Sequence, residues 1–123
     1  MTEDQAKYVD PRDRFACRCC GRNEIDPRLV GIVRTIEAYV GGPVVVNSGY
    51  RCEKHNREVG GSPTSSHLKG LAADLSAPDS RTRYHLVAAA IRGVSITRIG
   101  IYKTFVHIDI DRQKDQRVIW LKA

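Results

Sequence analysis

The chain has 123 residues, 41% hydrophobic and 28% charged, which suits one soluble domain able to build a core without disulfide or metal staples. Twenty Lys+Arg against fourteen Asp+Glu give a formal net charge of +6, a balance that favours association with a polyanion. No apolar run reaches the length of a membrane span, and the polar start MTEDQAKYVDPRDRF lacks a basic region followed by an apolar stretch. The expectation is therefore cytoplasmic synthesis with no signal peptide and no membrane partner.

Residues 1–14 read as a loose, charged leader, and 15–123 as a single domain. In DPRLVGIVRTIEAYVGG, Asp26 is placed to cap a helix with Pro27 at its first position. Leu29, Val33, Ile36 and Val40 recur at helical spacing there, and Gly41-Gly42 ends it. PVVVNSGYR reads as a short buried strand running into a turn, CEKHNREVGG as a short helix closed by Gly60-Gly61, and SPTSS as a loop. GLAADLSAP reads as a small-residue strand. DSRTRYHLVAAAIRG follows as a helix with Tyr84, Val87, Ala88 and Ile91 on one face. Strand-like runs then cover Ile96–Tyr102, Thr104–Ile110 and Val118–Leu121. Helices preceding and interrupting mostly antiparallel strands predict an α+β fold, a small sheet with two to three helices.

The arginines are scattered, Arg12, Arg14, Arg81, Arg92 and Arg98 among them, and form no basic run. No aromatic and glycine arrangement of the RNA-binding kind accompanies them, so the charge points to a polyanion, nucleic acid or anionic cell wall, without choosing between them. Four cysteines, Cys17, Cys19, Cys20 and Cys52, are enough for a zinc site by count. One crowded cluster facing a single distant partner is not the usual pair of ligand pairs, however. Buried thiols, or Cys52 pairing in an oxidising setting, is the preferred reading.

The run TFVHIDID, Thr104–Asp111, alternates. As a strand it sends Val106, Ile108 and Ile110 to a core and Phe105, His107, Asp109 and Asp111 to the other face. Upstream, SSHLKGLAADL places His67 seven residues before Asp74 in an unpolar stretch. Each of these residues has a bland reading: His67 on a surface loop, Asp74 forming a turn, the polar strand face meeting water. Combined, His67, Asp74 and His107 are two imidazoles and a carboxylate, the ligand number and type of a catalytic zinc with an open fourth position. His85 reads as a surface residue of its helix, and nothing demands His55 as a ligand.

SGYRCEKHNREVGGSPTSSHLKGLAADL followed by FVHID resembles the zinc D-Ala-D-Ala peptidase family of cell-wall carboxypeptidases, dipeptidases and phage endolysins, whose fold and zinc site recur in the hedgehog signalling domain. The family pattern, a serine two before the first histidine, then His-x6-Asp, then a later histidine, falls on Ser65, His67, Asp74 and His107. FACRCCG near the start resembles the small single-domain branch, and the likeness runs over about residues 15–111. The resemblance implies one Zn2+ held by His67, Asp74 and His107, with Arg51 and Ser65 binding substrate and Arg51 assisting catalysis. It further implies a peptidoglycan peptide as partner and a monomer acting on the cell wall, for which a phage or prophage origin is a fitting source. Many members place an acidic general base three residues before the second histidine, where this chain has Thr104. Asp109, two residues beyond His107 on the same strand face and about 6.6 Å along it, is the expected substitute, with Glu53 and Glu58 as minor candidates. Asp109 is also placed to orient a ligand imidazole or to bond a neighbouring loop. Two functions follow: a zinc peptidase of peptidoglycan stem peptides, cutting at D-amino acids through a zinc-activated water, or a zinc-stabilised module that binds cell wall or protein without turnover.

Overall fold

The structure is a computed structural model that describes residues 10–122. Helix α1 spans Pro27–Val40, and its start follows the local chemistry: the Asp26 carboxylate accepts from the Arg28 amide with Pro27 at the first position. Gly41, at φ +84°, closes it in the left-handed conformation. Strand β1 (Val46–Ser48), helix α2 (Glu53–Glu58) and a 3-10 turn at Ser66–Lys69 lead into strand β2 (Ala72–Ser76). Helix α3 (Ser80–Ala88) runs into a wider π turn at Ala89–Gly93. Strands β3 (Arg98–Ile101), β4 (Phe105–Asp109) and β5 (Val118–Leu121) complete the chain.

The five strands form one sheet in the order β1-β2-β4-β3-β5, antiparallel except for the parallel pair of β3 and β5. Alternation along each strand divides the sheet into two faces. Ala73, Leu75, Ile99, Val106 and Ile108 join Leu29, Val33 and Ile36 of α1 in the buried core. Asp74, Arg98, Gly100, His107 and Asp109 carry the other face by the same alternation. This is the α+β arrangement that the element pattern predicts, and Val106 and Ile108 point into the core as expected.

Tyr84, Val87, Ala88 and Ile91 share one face of the second long helix as expected, but they line a surface groove and are not its buried stripe. Tyr84 and Ile91 are exposed, and Leu86, Ala89 and Ala90 are buried instead. Both stripes are apolar, so periodicity alone does not choose between them. The alanine stripe is the one that allows close approach of the helix to the core, and at its end Gly93 packs against the Tyr39 ring of α1. The polar face of β4 is likewise not solvated: His107, Asp109 and Asp111 are all buried.

Residues 1–9 of the expected leader lie outside the described residues. Within 10–15, Asp13–Phe15 forms a 3-10 turn, the Phe15 ring is fully buried, and Arg14 holds Glu37 of α1 through two guanidinium contacts of 2.8 and 3.0 Å. Glu37 also accepts from the Val44 amide, so one carboxylate joins the N-terminal turn, α1 and the approach to β1. The Arg14 guanidinium holds the Glu37 carboxyl below its usual value. Its contribution to stability is therefore present above the unfolded carboxylate pKa and fades as pH falls through the depressed folded value. Glu37→Gln should cost about 1–2 kcal/mol at neutral pH, measured by urea denaturation, and the gap to the parent chain should close toward acid. A gap that is constant with pH would show that the pair contributes shape and not charge.

Candidate metal centre

The centre begins with a register. In the antiparallel pair of β2 and β4, Asp74 lies directly opposite His107, where facing side chains stand about 5 Å apart at Cβ. The His107 Nδ1 is 2.9 Å from the Asp74 Oδ1. The third member comes from the 3-10 turn. Ser65 caps this turn by accepting from the His67 amide, and Gly70 ends it at φ +70°. A side chain at Gly70 would meet the Glu24 carbonyl, so glycine is required there both for conformation and for space.

Within that turn the His67 ring is fixed at both ends. Its Nδ1 lies 2.7 Å from the Gly49 carbonyl, which can only accept, so Nδ1 carries the proton. The Nε2 is then an unprotonated lone pair. It is buried, has no hydrogen-bond partner among the described residues, and faces the Asp74 Oδ1 at 3.3 Å. The donor atoms of His67, Asp74 and His107 all lie within 4.8 Å of one another. An orphaned imidazole nitrogen beside a second imidazole and a carboxylate fits the three-ligand donor set of zinc. Burial opposes the charge on Asp74, but the hydrogen bond with His107 overcomes it and holds the carboxyl well below its ordinary range. Burial also disfavours a charged His107, yet its contacts with Asp109 and Asp74 raise its pKa.

The far nitrogen of His107, Nε2, lies 2.8 Å from the Asp109 Oδ2, while the Asp109 Oδ1 accepts from the Arg98 Nε at 2.6 Å. Asp109 is 1% exposed, and both its oxygens are engaged. Asp111 stands apart from the centre, bonded to Ser66 and Lys69. Arg51 and Ser65 line the same cleft, of about 640 Å³, with the Arg51 guanidinium donating to the Ser65 hydroxyl at 3.3 Å. The Arg51 Nε has no partner among the described residues, and burial lowers the pKa of the group. Glu53 and Glu58 are exposed on α2 and do not line this cleft. Thr104 is exposed in the turn before β4 and does not line it either.

Sequence reasoning missed the opposite wall, made by Tyr102, Phe105, Trp120, Lys114, Lys122 and Arg98. Tyr102 stacks on Phe105 with ring centroids 4.3 Å apart. The Trp120 ring sits 5.3 Å from His107 and under the Arg98 guanidinium. Gly100 pairs with His107 on one side and Trp120 on the other, and a Cβ there would come within 2.6 Å of the indole. A glycine alternating with two isoleucines in RIGI is the signal that could have exposed this wall.

An α+β sheet holding two imidazoles and a carboxylate at the floor of a basic cleft defines a zinc-type domain. The chain belongs to the Peptidase M15 family, zinc-dependent metallopeptidases, whose model matches residues 11–111 and so includes His67, Asp74 and His107. No curated protein matches the chain. None of the helices among the described residues is long and apolar enough to cross a membrane.

His67→Ala and His107→Ala should each remove one zinc equivalent, read by elemental analysis of protein desalted after loading. Each should also forfeit the stabilisation that bound metal supplies, about 4 kcal/mol at a thousandfold excess over the dissociation constant. Undiminished metal in the double variant would place the site elsewhere.

Proposed function

We propose that this chain hydrolyses peptide bonds of peptidoglycan stem peptides, at D-amino acids, with one zinc held by His67, Asp74 and His107. The observation that carries the reading is the convergence of an unprotonated, unpartnered His67 Nε2 with Asp74 and His107 beside an arginine that has no carboxylate partner among the described residues. When bound there, zinc supplies Lewis acidity toward a scissile carbonyl and lowers the pKa of water to about 7.

The side chains divide the remaining work. Arg51, whose planar fork suits a carboxylate, binds the free carboxylate of a stem peptide or the charge developing on the carbonyl. Ser65 positions that guanidinium and offers its oxygen to the substrate backbone. Lys114 and Lys122 add positive charge to the cleft, which agrees with an anionic peptide. Tyr102 and Trp120 form the apolar wall against which a short peptide can lie. Asp109 acts as a positioning residue: it accepts from the His107 Nε2–H and fixes the tautomer that leaves Nδ1 toward the metal, while Arg98 holds Asp109 still. The proton-accepting role expected of Asp109 fits this arrangement less well, because both oxygens already have partners.

One observation favours a second reading, a zinc-stabilised module that binds cell wall without turnover. Among the described residues lining the cleft, the only carboxylates are Asp74, a ligand, and Asp109, doubly engaged. Incubating zinc-loaded protein with purified peptidoglycan and identifying released fragments by mass spectrometry separates the two. Peptide fragments ending at a D-residue are expected, and tight retention on the polymer with no fragments would leave only the module.

Two variants refine the peptidase reading. Arg51→Ala should lower kcat/KM about a hundredfold with zinc content intact. Asp109→Asn should weaken zinc affinity about 10–100-fold, measured by chelator competition. An Asp109→Asn protein with parental affinity and lost turnover would return the general-base role to Asp109.

A further inference from the structure

Three of the cysteines converge from two segments distant from each other in sequence. Cys17 and Cys20 sit on one tight loop, closed by the Cys17 amide donating to the Arg22 carbonyl at 2.7 Å and the Gly21 amide donating to the Cys17 carbonyl at 2.9 Å. Cys52 arrives from the start of α2, because the Tyr50 amide donates to the Phe15 carbonyl at 2.8 Å and lays the two segments side by side. The sulfurs of Cys17, Cys20 and Cys52 all lie within 4.8 Å of one another, and those of Cys17 and Cys52 are 3.6 Å apart. A tetrahedral zinc with sulfur ligands at about 2.3 Å holds them about 3.8 Å apart.

The surroundings suit thiolates. The Cys52 amide points at the Cys17 Sγ at 3.5 Å, and the His55 amide at the Cys52 Sγ at 3.4 Å. Backbone N–H groups directed at sulfur stabilise the deprotonated form that binds metal. Cys17-x-x-Cys20 has the two-residue spacer of structural zinc loops, here followed by Gly21 at φ +75°, which lets the loop turn back. Oxygen-preferring cations do not suit an all-sulfur set.

We propose that Cys17, Cys20 and Cys52 form a second, structural zinc site, separate from the histidine centre. Cys19, exposed on the same loop, is the thiol available for the fourth position. The single zinc expected from the sequence then becomes two per chain. The site would fasten the N-terminal loop to the segment 49–52, the same segment whose Gly49 carbonyl receives the His67 Nδ1–H and whose Arg51 amide donates to the His67 carbonyl at 3.1 Å. A metal at the cysteines thus holds the support on which the first ligand histidine and Arg51 rest.

The test uses the full chain, purified under reducing conditions and loaded with zinc or cobalt(II). The parent should carry two zinc equivalents. The His67→Ala, His107→Ala double variant and the Cys17→Ser, Cys52→Ser double variant should carry one each. Cobalt in the histidine variant should give strong thiolate-to-metal charge-transfer absorption in the near ultraviolet, and cobalt in the cysteine variant should not. On the unaltered parent, zinc should shield three or four thiols from alkylation, and a chelator should release them. Fewer than three shielded thiols, no zinc in the His67→Ala, His107→Ala double variant, or a Cys17–Cys52 disulfide that persists under these reducing conditions would overturn the assignment. None of these readouts depends on peptidase activity.

Discussion

The hydrogen-bonded register of β2 against β4 is the constraint on which the molecule turns. It sets Asp74 opposite His107, and because side chains alternate, the same register sends Ala73 and Leu75 into the core with Val106 and Ile108. A slip of one residue would bury the carboxylate under α1 and turn leucine toward the cleft. Core packing and ligand geometry are therefore one decision. The apolar burial that stabilises the sheet also fixes the distance between two donor groups, with no long flexible side chain left to set it.

Everything else in the site is fastened to that pair. The His67 turn is tied back through Gly49, and Asp109 and Arg98 brace the outer side of His107 from the same strand and from its neighbour. The buried charges cost free energy to desolvate and are each matched by a partner within hydrogen-bond reach, which is the condition under which such a cluster is tolerated. Among the described residues of the cleft, His67 Nε2 and Arg51 Nε are the exceptions. An unpartnered buried lone pair in an otherwise satisfied cluster marks the direction from which a cation completes it.

What the sequence reveals follows how local each feature is. Helix α1 is legible at both ends because Asp26, Pro27 and Gly41 act within a few residues of where they stand. The trio His67, Asp74 and His107 is legible because residue type and spacing carry it, and because the surrounding motifs resemble a known family. The buried face of α3 is not, since two apolar stripes compete and the choice belongs to the core beneath. The double engagement of Asp109 requires Arg98 from an adjacent strand, and the meeting of Cys52 with Cys17 requires Tyr50 to pair with Phe15; neither partner is visible from a one-dimensional pattern. Trp120 escapes for the same reason, because a parallel edge strand has no nearby turn to announce its neighbour.

Strand β5 has a further meaning for how such a cleft diversifies. The Peptidase M15 match ends at residue 111, whereas β5 begins at Val118. The matched part of the chain thus holds His67, Asp74 and His107 with Tyr102 and Phe105 of the wall, and Trp120 comes from a strand outside it. Gly100 is the socket between them, small enough to seat an indole without moving His107. Remodelling of the terminal strand changes which side chains a bound peptide meets while the ligand register stays intact. The spacing of the three donor groups and the outline of the wall are then set by different strands, and a side-chain change in β5 leaves the pairing of β2 with β4 in place.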